Sequence, residues 1–221
     1  MATQSGGDKV TRYLVIGMVA FVLVVGTVFS VLSNRPSGSK AIPSSVSKAD
    51  GQAIVFNAEL KGRPIIDLWE DLQCPVCARF EQTNGEYIQK LISEKRAKVN
   101  YHLLSFIGPE SILAANALAC AADENKFLAL HNYLYANQGA ENSGVWSNSG
   151  LIAAATASGI SSTKFVSCVN SGKYTDWVGK VADDGVSKKI GSTPTVFVNG
   201  KELDRNTQYF DLAGFTKAVE G

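Results

Sequence analysis

The sequence predicts an α/β fold with an inserted α-helical domain, preceded by one transmembrane helix. Three observations support this prediction. Strand-like apolar runs occur at both ends of the segment from residue 51 onward, stretches with helical spacing fill its middle, and an apolar run without charged residues precedes it. The 21 basic and 20 acidic side chains nearly balance, and this composition gives no indication of nucleic-acid binding.

The apolar run extends from Tyr13 to Leu32 and, at a helical rise of about 1.5 Å per residue, it spans the roughly 30 Å hydrocarbon core of a bilayer. A cleaved signal peptide is the alternative, but its apolar region normally has only about 7–15 residues and ends at a small-residue site, which the sequence after Val28 lacks. Basic residues flank the run on both sides, so their distribution leaves the orientation open. Because oxidised cysteines persist outside the cytosol, we expect residues 1–12 to form a short cytoplasmic tail and the folded domain to lie outside.

The rest of the chain divides by its composition. Residues 33–50 are rich in Ser, Lys, Pro and Gly, show no apolar period, and are predicted to form a flexible tether. Beyond it we expect a first α/β part at residues 51–107, an inserted helical domain at 108–189 and a second α/β part at 190–221.

The first α/β part has the pattern of a strand–helix–strand unit that follows a short strand. The short strand is Ala53–Phe56, the unit begins with a strand of the buried kind at Pro64–Trp69, a helix runs from Pro75 to about Ser93, and Val99–Leu104 returns as a strand. If the two longer strands are parallel, the crossover is right-handed.

The inserted domain shows helical spacing without any strand signal, near residues 109–124, 126–137, 149–158, 161–171 and 174–189. The second α/β part begins with a strand, continues through the commonest two-residue hairpin turn into a returning strand, and closes with a helix. These segments are Thr195–Val198, Asn199–Gly200, Lys201–Leu203 and Phe210–Val219.

Two of the four cysteines form a C-P-V-C motif where a predicted strand meets a predicted helix. Cys74 lies at the helix N-terminus, where free N–H groups and the helix dipole favour a thiolate, so it is the expected nucleophile. Pro75 suits the first helical turn, because its missing N–H has no partner there anyway. Cys77 lies one turn further in and can resolve a mixed disulfide.

Other readings of the cysteines stay open at this point. A zinc site needs two ligands besides Cys74 and Cys77, and the sequence has no second paired motif, so no metal site is expected. A purely structural disulfide between Cys74 and Cys77 is a further alternative. Cys120 and Cys168 are interpreted as a structural disulfide between two helices, with a second redox shuttle as the alternative.

The segment EDLQCPVC, from Glu70 to Cys77, together with GSTPTVFVNG, from Gly191 to Gly200, resembles the DsbA-like branch of the thioredoxin superfamily over roughly residues 51–220. The resemblance implies a thioredoxin-like fold in which Pro194 is cis and faces the cysteine pair. Pro194 has no N–H, and the extended backbone at Thr193 can pair with a substrate peptide. A trans proline that begins an edge strand is the alternative.

The sequence departs from the family pattern at two positions. A buried acid often lies six residues before the first cysteine, but that position is Leu68 here. Its neighbours Asp67 and Glu70 can serve instead if the strand carries a bulge, but solvated surface acids are the alternative, so neither receives a proton-transfer role. Asp71 resembles the family's acidic residue three positions before the first cysteine, with a loop or capping role as the alternative. Val76 stands where the strongest oxidants of the family carry histidine, so it should tune the site. His102 and His131 are interpreted as ordinary strand and helix residues, and the three tryptophans as packing residues.

The resemblance implies a dithiol oxidase that introduces disulfides into secreted or cell-envelope proteins, with the Cys74–Cys77 disulfide as the redox group and no bound cofactor. It also implies an integral-membrane reoxidation partner of the DsbB or vitamin K epoxide reductase type. The expected location is the cell membrane, crossed once, with the catalytic domain outside the cytoplasm. A disulfide reductase or isomerase and a redox-inert peptide-binding module are the alternatives.

Overall fold

A computed structural model describes residues 40–46 and 51–221. Among these residues a five-stranded sheet has the strand order β1-β3-β2-β4-β5. Strands β2 and β3 are parallel, and the other neighbouring pairs are antiparallel. The strands are β1 (Ile54–Phe56), β2 (Ile65–Asp71), β3 (Lys98–Leu104), β4 (Thr195–Val198) and β5 (Lys201–Glu202).

Helices follow the order predicted from the sequence. One connects β2 to β3, five lie between β3 and β4, and one follows β5. They are α1 (Pro75–Ser93), α2 (Pro109–Ala122), α3 (Phe127–Ala136), α4 (Asn148–Ala157), α5 (Thr163–Ser171), α6 (Thr175–Ser187) and α7 (Leu212–Glu220). The predicted α/β arrangement with a run of helices inside it is therefore confirmed for the described residues.

Strand β2 is the central strand that positions the cysteine motif. Its side chains alternate between the two faces of the sheet, so Leu68 and Glu70 share one face while Trp69 lies on the other. The Trp69 ring is close to Gly185 of α6, where a β-carbon would stand 3.5 Å from it. Leu68, Trp69 and Glu70 are all buried, so helices cover β2 on both faces.

The hairpin between β4 and β5 has the conformation that its sequence predicts. Asn199 and Gly200 both have positive φ, at 52° and 78°, as a type I′ turn requires. Asn199 also donates its N–H to the carbonyl of Ile65 at 2.8 Å, which ties the turn to the start of β2.

Residues 40–46, which the sequence assigned to the tether, lie on the folded domain. Val46 forms an antiparallel bridge with Ile54, and Val55 donates its N–H to the carbonyl of Ser45 at 2.9 Å. The Ser44 N–H donates to Asp123 at 3.0 Å. The segment lacks an apolar period because sheet-edge and side-chain hydrogen bonds, rather than an apolar face, attach it.

The predicted span from Tyr13 to Leu32 lies outside the described residues. Within residues 40–46 and 51–221, no helix combines the length and the apolar character needed to cross a membrane.

Candidate active site

Strand β2 ends two residues before the cysteine motif, and α1 begins directly after its first cysteine. Cys74 is the N-cap of α1 with extended φ and ψ of −74° and 115°, and Pro75 occupies the first helical turn. Pro75 costs no hydrogen bond there, because the first N–H groups of a helix have no partner within it. Cys77 lies one turn further along and is fully buried, whereas Cys74 keeps 6% of its surface exposed.

The two thiols have opposite pKa shifts. A hydrogen bond from the Cys77 thiol is the largest cause that lowers the pKa of Cys74 to about 6, and the side chain of Thr193 and the backbone N–H groups of Val76 and Cys77 also lower it. Burial raises the pKa of Cys77 well above its ordinary value, and the hydrogen bond to Cys74 and the charge of Glu70 act in the same direction. Cys74 is therefore the thiolate at neutral pH, and Cys77 stays a thiol.

A loop from the far end of the chain lies against Cys74. The Thr193–Pro194 peptide bond is cis, the isomer that the family resemblance implied, and the Cys74 sulfur lies 3.5 Å from the Thr193 carbonyl oxygen. The Arg205 guanidinium donates to the Pro194 carbonyl and, at 3.0 Å, to the Thr195 hydroxyl. Arg205 therefore fixes this loop beside the cysteine, a role that the sequence analysis did not assign.

Asp71 holds the end of β2 to the loop that precedes α2. Its carboxylate accepts hydrogen bonds from the backbone N–H groups of Gln73 at 2.9 Å, Phe106 at 2.8 Å and Ile107 at 3.1 Å, and from the Ser111 hydroxyl at 2.7 Å. These contacts give Asp71 the loop role that was the alternative to a family-specific one.

The loop after α3 forms hydrogen bonds with the cysteine motif and the two residues before it. Gln138 donates to the carbonyl oxygens of Leu72 at 2.8 Å and Cys74 at 3.2 Å. The Asn142 N–H donates to the side-chain oxygen of Gln73 at 2.6 Å. Sequence patterns gave no signal for this contact, because its partners are more than sixty positions apart.

Glu70 belongs to a buried cluster that the sequence analysis missed. Glu70 is fully buried, and its Oε2 atom lies 3.0 Å from Nε2 of His131 on α3. Together with Glu81 of α1, each residue offers one ligand atom within 4.8 Å of the others. The burial of Glu70 excludes the alternative of a solvated surface acid, and the interpretation of His131 as an ordinary helix residue gave no sign of its contact with Glu70. The alternation of Ile66, Leu68 and Glu70 on one buried face of β2 was the available signal.

The protonation of this cluster follows from its burial. Burial raises the pKa of Glu70 to about 7, with a further increase from the charge of Cys74 and an opposing hydrogen bond with Glu81. Burial also raises the pKa of Glu81 well above its ordinary value, and the charge of Glu70 raises it further. The pKa of His131 is lowered by burial, so its ring is neutral. Two carboxyl groups so close cannot both ionise freely, so the cluster holds a proton near neutral pH.

Among the described residues, Glu70, Glu81 and His131 are also the group whose donor atoms are close enough to hold a metal ion. Carboxylate and imidazole donors suit several divalent ions. A proton shared between the two carboxyl groups also reduces the repulsion between them. The expectation that the site holds no metal stays a prediction.

Asp67, the other acid beside the expected family position, lies on the opposite face of the sheet from Glu70. It accepts a hydrogen bond from Asn100 at 2.7 Å and lies 3.5 Å from Nε2 of His102, whose ring stacks on Trp69 with centroids 3.8 Å apart. These residues pack together on the face of the sheet opposite Glu70.

The second pair of cysteines forms a disulfide. Cys120 of α2 and Cys168 of α5 are joined with a Cα–Cα distance of 5.9 Å and a sequence separation of 48. Both positions are buried.

Comparison with known proteins places the chain in a family. Residues 59–218 match the family model described as thioredoxin. The chain belongs to the thioredoxin family, and its structural relatives identify it as a DsbA-like member. MdbA, a thiol-disulfide oxidoreductase from Actinomyces oris, superposes with a TM-score of 0.70 at 25% identity, over 84% of this chain and 96% of that one. The reduced disulfide oxidoreductase DsbG of Mycobacterium tuberculosis gives a TM-score of 0.66 at 28% identity, over 77% and 87% of the two chains.

Two curated relatives are candidate protein-disulfide oxidoreductases of Rickettsia typhi and Rickettsia prowazekii, each 29% identical to this chain. The first match covers 81% of this chain and 66% of the relative, and the second covers 66% and 53%. The chain therefore spans about half to two thirds of the length of these relatives.

Proposed function

We propose that this protein oxidises pairs of substrate thiols to disulfides through Cys74 and Cys77. The observation that carries the proposal is the position of Cys74, at the N-terminus of α1 and 3.5 Å from the Thr193 carbonyl oxygen beside a cis-proline. This arrangement offers one reactive sulfur next to a stretch of backbone that a substrate peptide can use.

The reaction begins with the Cys74–Cys77 pair oxidised. A substrate thiolate attacks the Cys74 sulfur, the bond between the two cysteines breaks, and Cys77 takes up a proton as it leaves. A second substrate thiolate then attacks the substrate sulfur of the mixed disulfide and releases Cys74 as a thiolate. Two electrons pass from the substrate to the cysteine pair. The lowered pKa of Cys74 favours this release, because a stable thiolate leaves readily.

The substrate peptide binds beside the cis-proline loop. Thr193 presents backbone groups that can pair with an extended peptide, and Pro194 has no N–H to compete for them. Arg205 donates to the Pro194 carbonyl and so holds the loop in the conformation that presents Thr193. Val76, whose side chain is 42% exposed, offers an apolar contact next to Cys74.

The reduced enzyme must lose two electrons before the next cycle. We propose that an integral-membrane partner of the DsbB or vitamin K epoxide reductase type accepts them, and that residues 13–32 hold the catalytic domain at the outer side of the same membrane. Reduced secreted proteins are the proposed substrates. Because Cys77 is fully buried, the partner exchanges disulfides with Cys74, the same sulfur that meets the substrate.

The direction of the reaction is the main point to test. Full-length protein in the oxidised form is mixed with reduced ribonuclease, and the recovery of ribonuclease activity is compared with that given by a variant carrying both Cys74→Ser and Cys77→Ser. Recovery with the wild type alone supports the oxidase. A redox-inert peptide-binding module would give no recovery with either protein.

A reductase or isomerase is distinguished by its potential. Equilibration of the cysteine pair with glutathione measures the reduction potential. We expect a value between two reference points, thioredoxin at about −270 mV and DsbA at about −120 mV. A potential as low as that of thioredoxin would favour the reductase.

A further inference from the structure

A cavity of about 520 Å³ reaches the buried cluster from the surface. It lies between α1 and α3, and its lining includes Glu81, Gly85 and Asn132 together with the exposed side chains of Gln82 and Glu86. Of the three residues in the cluster, Glu81 is the one that lines this cavity and is partly exposed. Glu70 and His131 are fully buried and do not line it.

The carboxyl group of Glu81 lies at the cavity, and that of Glu70 lies nearer the cysteines. Glu70 and Glu81 each have an Oε1 atom that is buried and has no hydrogen-bond partner. Their ligand atoms lie within 4.8 Å of one another. Glu70 is also close enough to the cysteines for its charge to raise the pKa of Cys77. Burying two such atoms without partners is costly unless a proton or a cation joins them.

Gly85 gives Glu81 the room to take part. A β-carbon at Gly85 would stand 2.7 Å from Oε2 of Glu81, too close for both to keep their places. Glycine weakens the interior of a helix, and Gly85 lies in the middle of α1. Its presence is explained by the space that the Glu81 carboxyl group needs.

We propose that Glu81 is the proton outlet of the active site, passing protons between Glu70 and the water that enters the cavity, and that Gly85 keeps it in that position. The inference rests on the proposed function, because a proton moves at Cys77 each time the cysteine pair is reduced or reoxidised.

The proton balance is the same in both directions. When the pair is reduced, the Cys77 sulfur leaves and takes the proton of Glu70, Glu70 takes one from Glu81, and Glu81 is protonated again by water in the cavity. When the pair is reoxidised, Cys77 returns its proton to Glu70 and the transfers run backwards. No electrons pass through the carboxyl groups, since both electrons stay on sulfur.

The tyrosine and histidine side chains around the cluster do not exchange protons near neutral pH. Burial raises the pKa values of Tyr101 on β3 and Tyr135 on α3 well above the ordinary range, and burial lowers the pKa of His131. The carboxylate of Asp71 is engaged by the loop before α2. Glu70 and Glu81 are therefore the groups that can transfer the proton of Cys77. The charge of Cys74 raises the pKa of Glu70.

The test uses a single turnover that needs no protein substrate. Oxidised full-length protein is mixed with excess dithiothreitol, and the rate of disulfide reduction is measured from pH 5 to 8 at several buffer concentrations. Glu81→Gln should slow the reaction by about 10-fold or more, since a positioned acid or base typically contributes about 10²–10⁴-fold. Glu81→Ala should recover part of the rate with added formate, which can enter the cavity. Glu86→Gln, at the exposed rim, should stay within about twofold of the wild type.

A second variant tests the position of Glu81 without removing its charge. Gly85→Ala should displace the carboxyl group and give the same slow, buffer-dependent rate. Gly179→Ala, in α6 and with no atom within 4 Å of the added β-carbon, is the matched control. Wild-type rates for Glu81→Gln and Gly85→Ala at every buffer concentration would overturn the proposal, as would slow rates that neither buffer nor formate changes. Failure of the wild type to refold ribonuclease would instead contradict the proposed function, because the dithiothreitol reaction does not depend on it.

Discussion

The two pairs of cysteines in this molecule differ in the helix ends that carry them. Cys74 precedes the first residue of α1 and Cys77 lies in its first turn, whereas Cys120 and Cys168 lie in the last turns of α2 and α5. The N-terminus of a helix stabilises a negative charge, and the C-terminus disfavours it. The first pair therefore gains a stable thiolate, and the second pair gains none from its helices.

The pairs also differ in what they connect. Cys74 and Cys77 close a single helical turn, so their disulfide constrains little of the chain. Cys120 and Cys168 are separated by 48 positions and join two helices. A cross-link over a longer loop removes more conformational freedom from the unfolded chain. The same chemical group thus suits a reaction in one place and stability in the other, and the placement decides which.

Exchange of the first pair for serine should have the largest effect on activity. Cys74→Ser should abolish ribonuclease refolding, a loss of at least about 10³-fold, because the attacked sulfur is gone. Cys77→Ser should instead accumulate mixed disulfides with client proteins, since only the resolving thiol is missing. Non-reducing electrophoresis after acid quenching measures the trapped species. Equal trapping by both variants would break the distinction between the two thiols.

Removal of the second pair should affect stability rather than activity. Cys120→Ala combined with Cys168→Ala should lower the free energy of unfolding by about 4 kcal/mol in the chain-entropy account. The reduction potential of Cys74–Cys77 should stay unchanged. Urea unfolding and glutathione equilibration measure the two quantities. A variant that folds normally but loses activity would make the second pair a redox shuttle and remove the contrast.

Glu70 lies near Cys74 and Cys77 and not in the helices that carry the second pair. It should make the free energy of unfolding depend on pH. Its pKa rises from 4.5 to about 7 on folding, so the folded protein holds this proton more tightly than the unfolded chain does. The corresponding stability is present below pH 4.5 and is lost as pH rises through about 7. Glu70→Gln should therefore raise stability above pH 7 by up to about 3 kcal/mol and change little at low pH.

Thermal unfolding of the oxidised protein at several pH values measures the part of this effect that burial causes, because a disulfide carries no Cys74 charge. Glu86→Gln, an exposed position on α1, is the control. A pH-independent change for Glu70→Gln would mean that this carboxyl group has an ordinary pKa in the folded protein.

Substitution of Val76 should have the smallest effect. Val76→His places a positive charge beside Cys74 and should lower the pKa of this thiol from about 6 by about one unit, with a more oxidising potential. Val76→Ala is the uncharged control. The ultraviolet absorbance of the thiolate against pH gives the midpoint. If the wild type already titrates several units below 6, another group stabilises the thiolate and the helix end is not enough.

Local sequence signals predicted the framework of the fold. The bounds of α1, Pro75–Ser93, match the prediction, because a proline at the helix start and a preceding apolar strand mark its beginning. The Asn199–Gly200 turn is found as expected, because both residues tolerate positive φ. In each case the deciding physics involves residues within one or two turns of each other.

The parts that the sequence did not reveal depend on contacts between distant segments. Arg205 reaches the cis-proline loop from beyond β5, Gln138 reaches the cysteine motif from the loop after α3, and His131 meets Glu70 from α3. None of these contacts leaves a periodic pattern. The burial of Glu70 could have been inferred from the alternation along β2, but its partners Glu81 and His131 could not.

If residues 13–32 span the membrane, as we propose, the attachment of residues 40–46 to the domain limits how far the domain can move from the bilayer. In the membrane-anchored arrangement that we propose, residues 33–39 are the chain between the span and the domain, and seven residues extend at most about 25 Å. The catalytic domain, with its two reactive cysteines, would then stay close to the bilayer surface. Polypeptides that emerge through the membrane would meet the enzyme early, while a soluble protein further out would rarely encounter it.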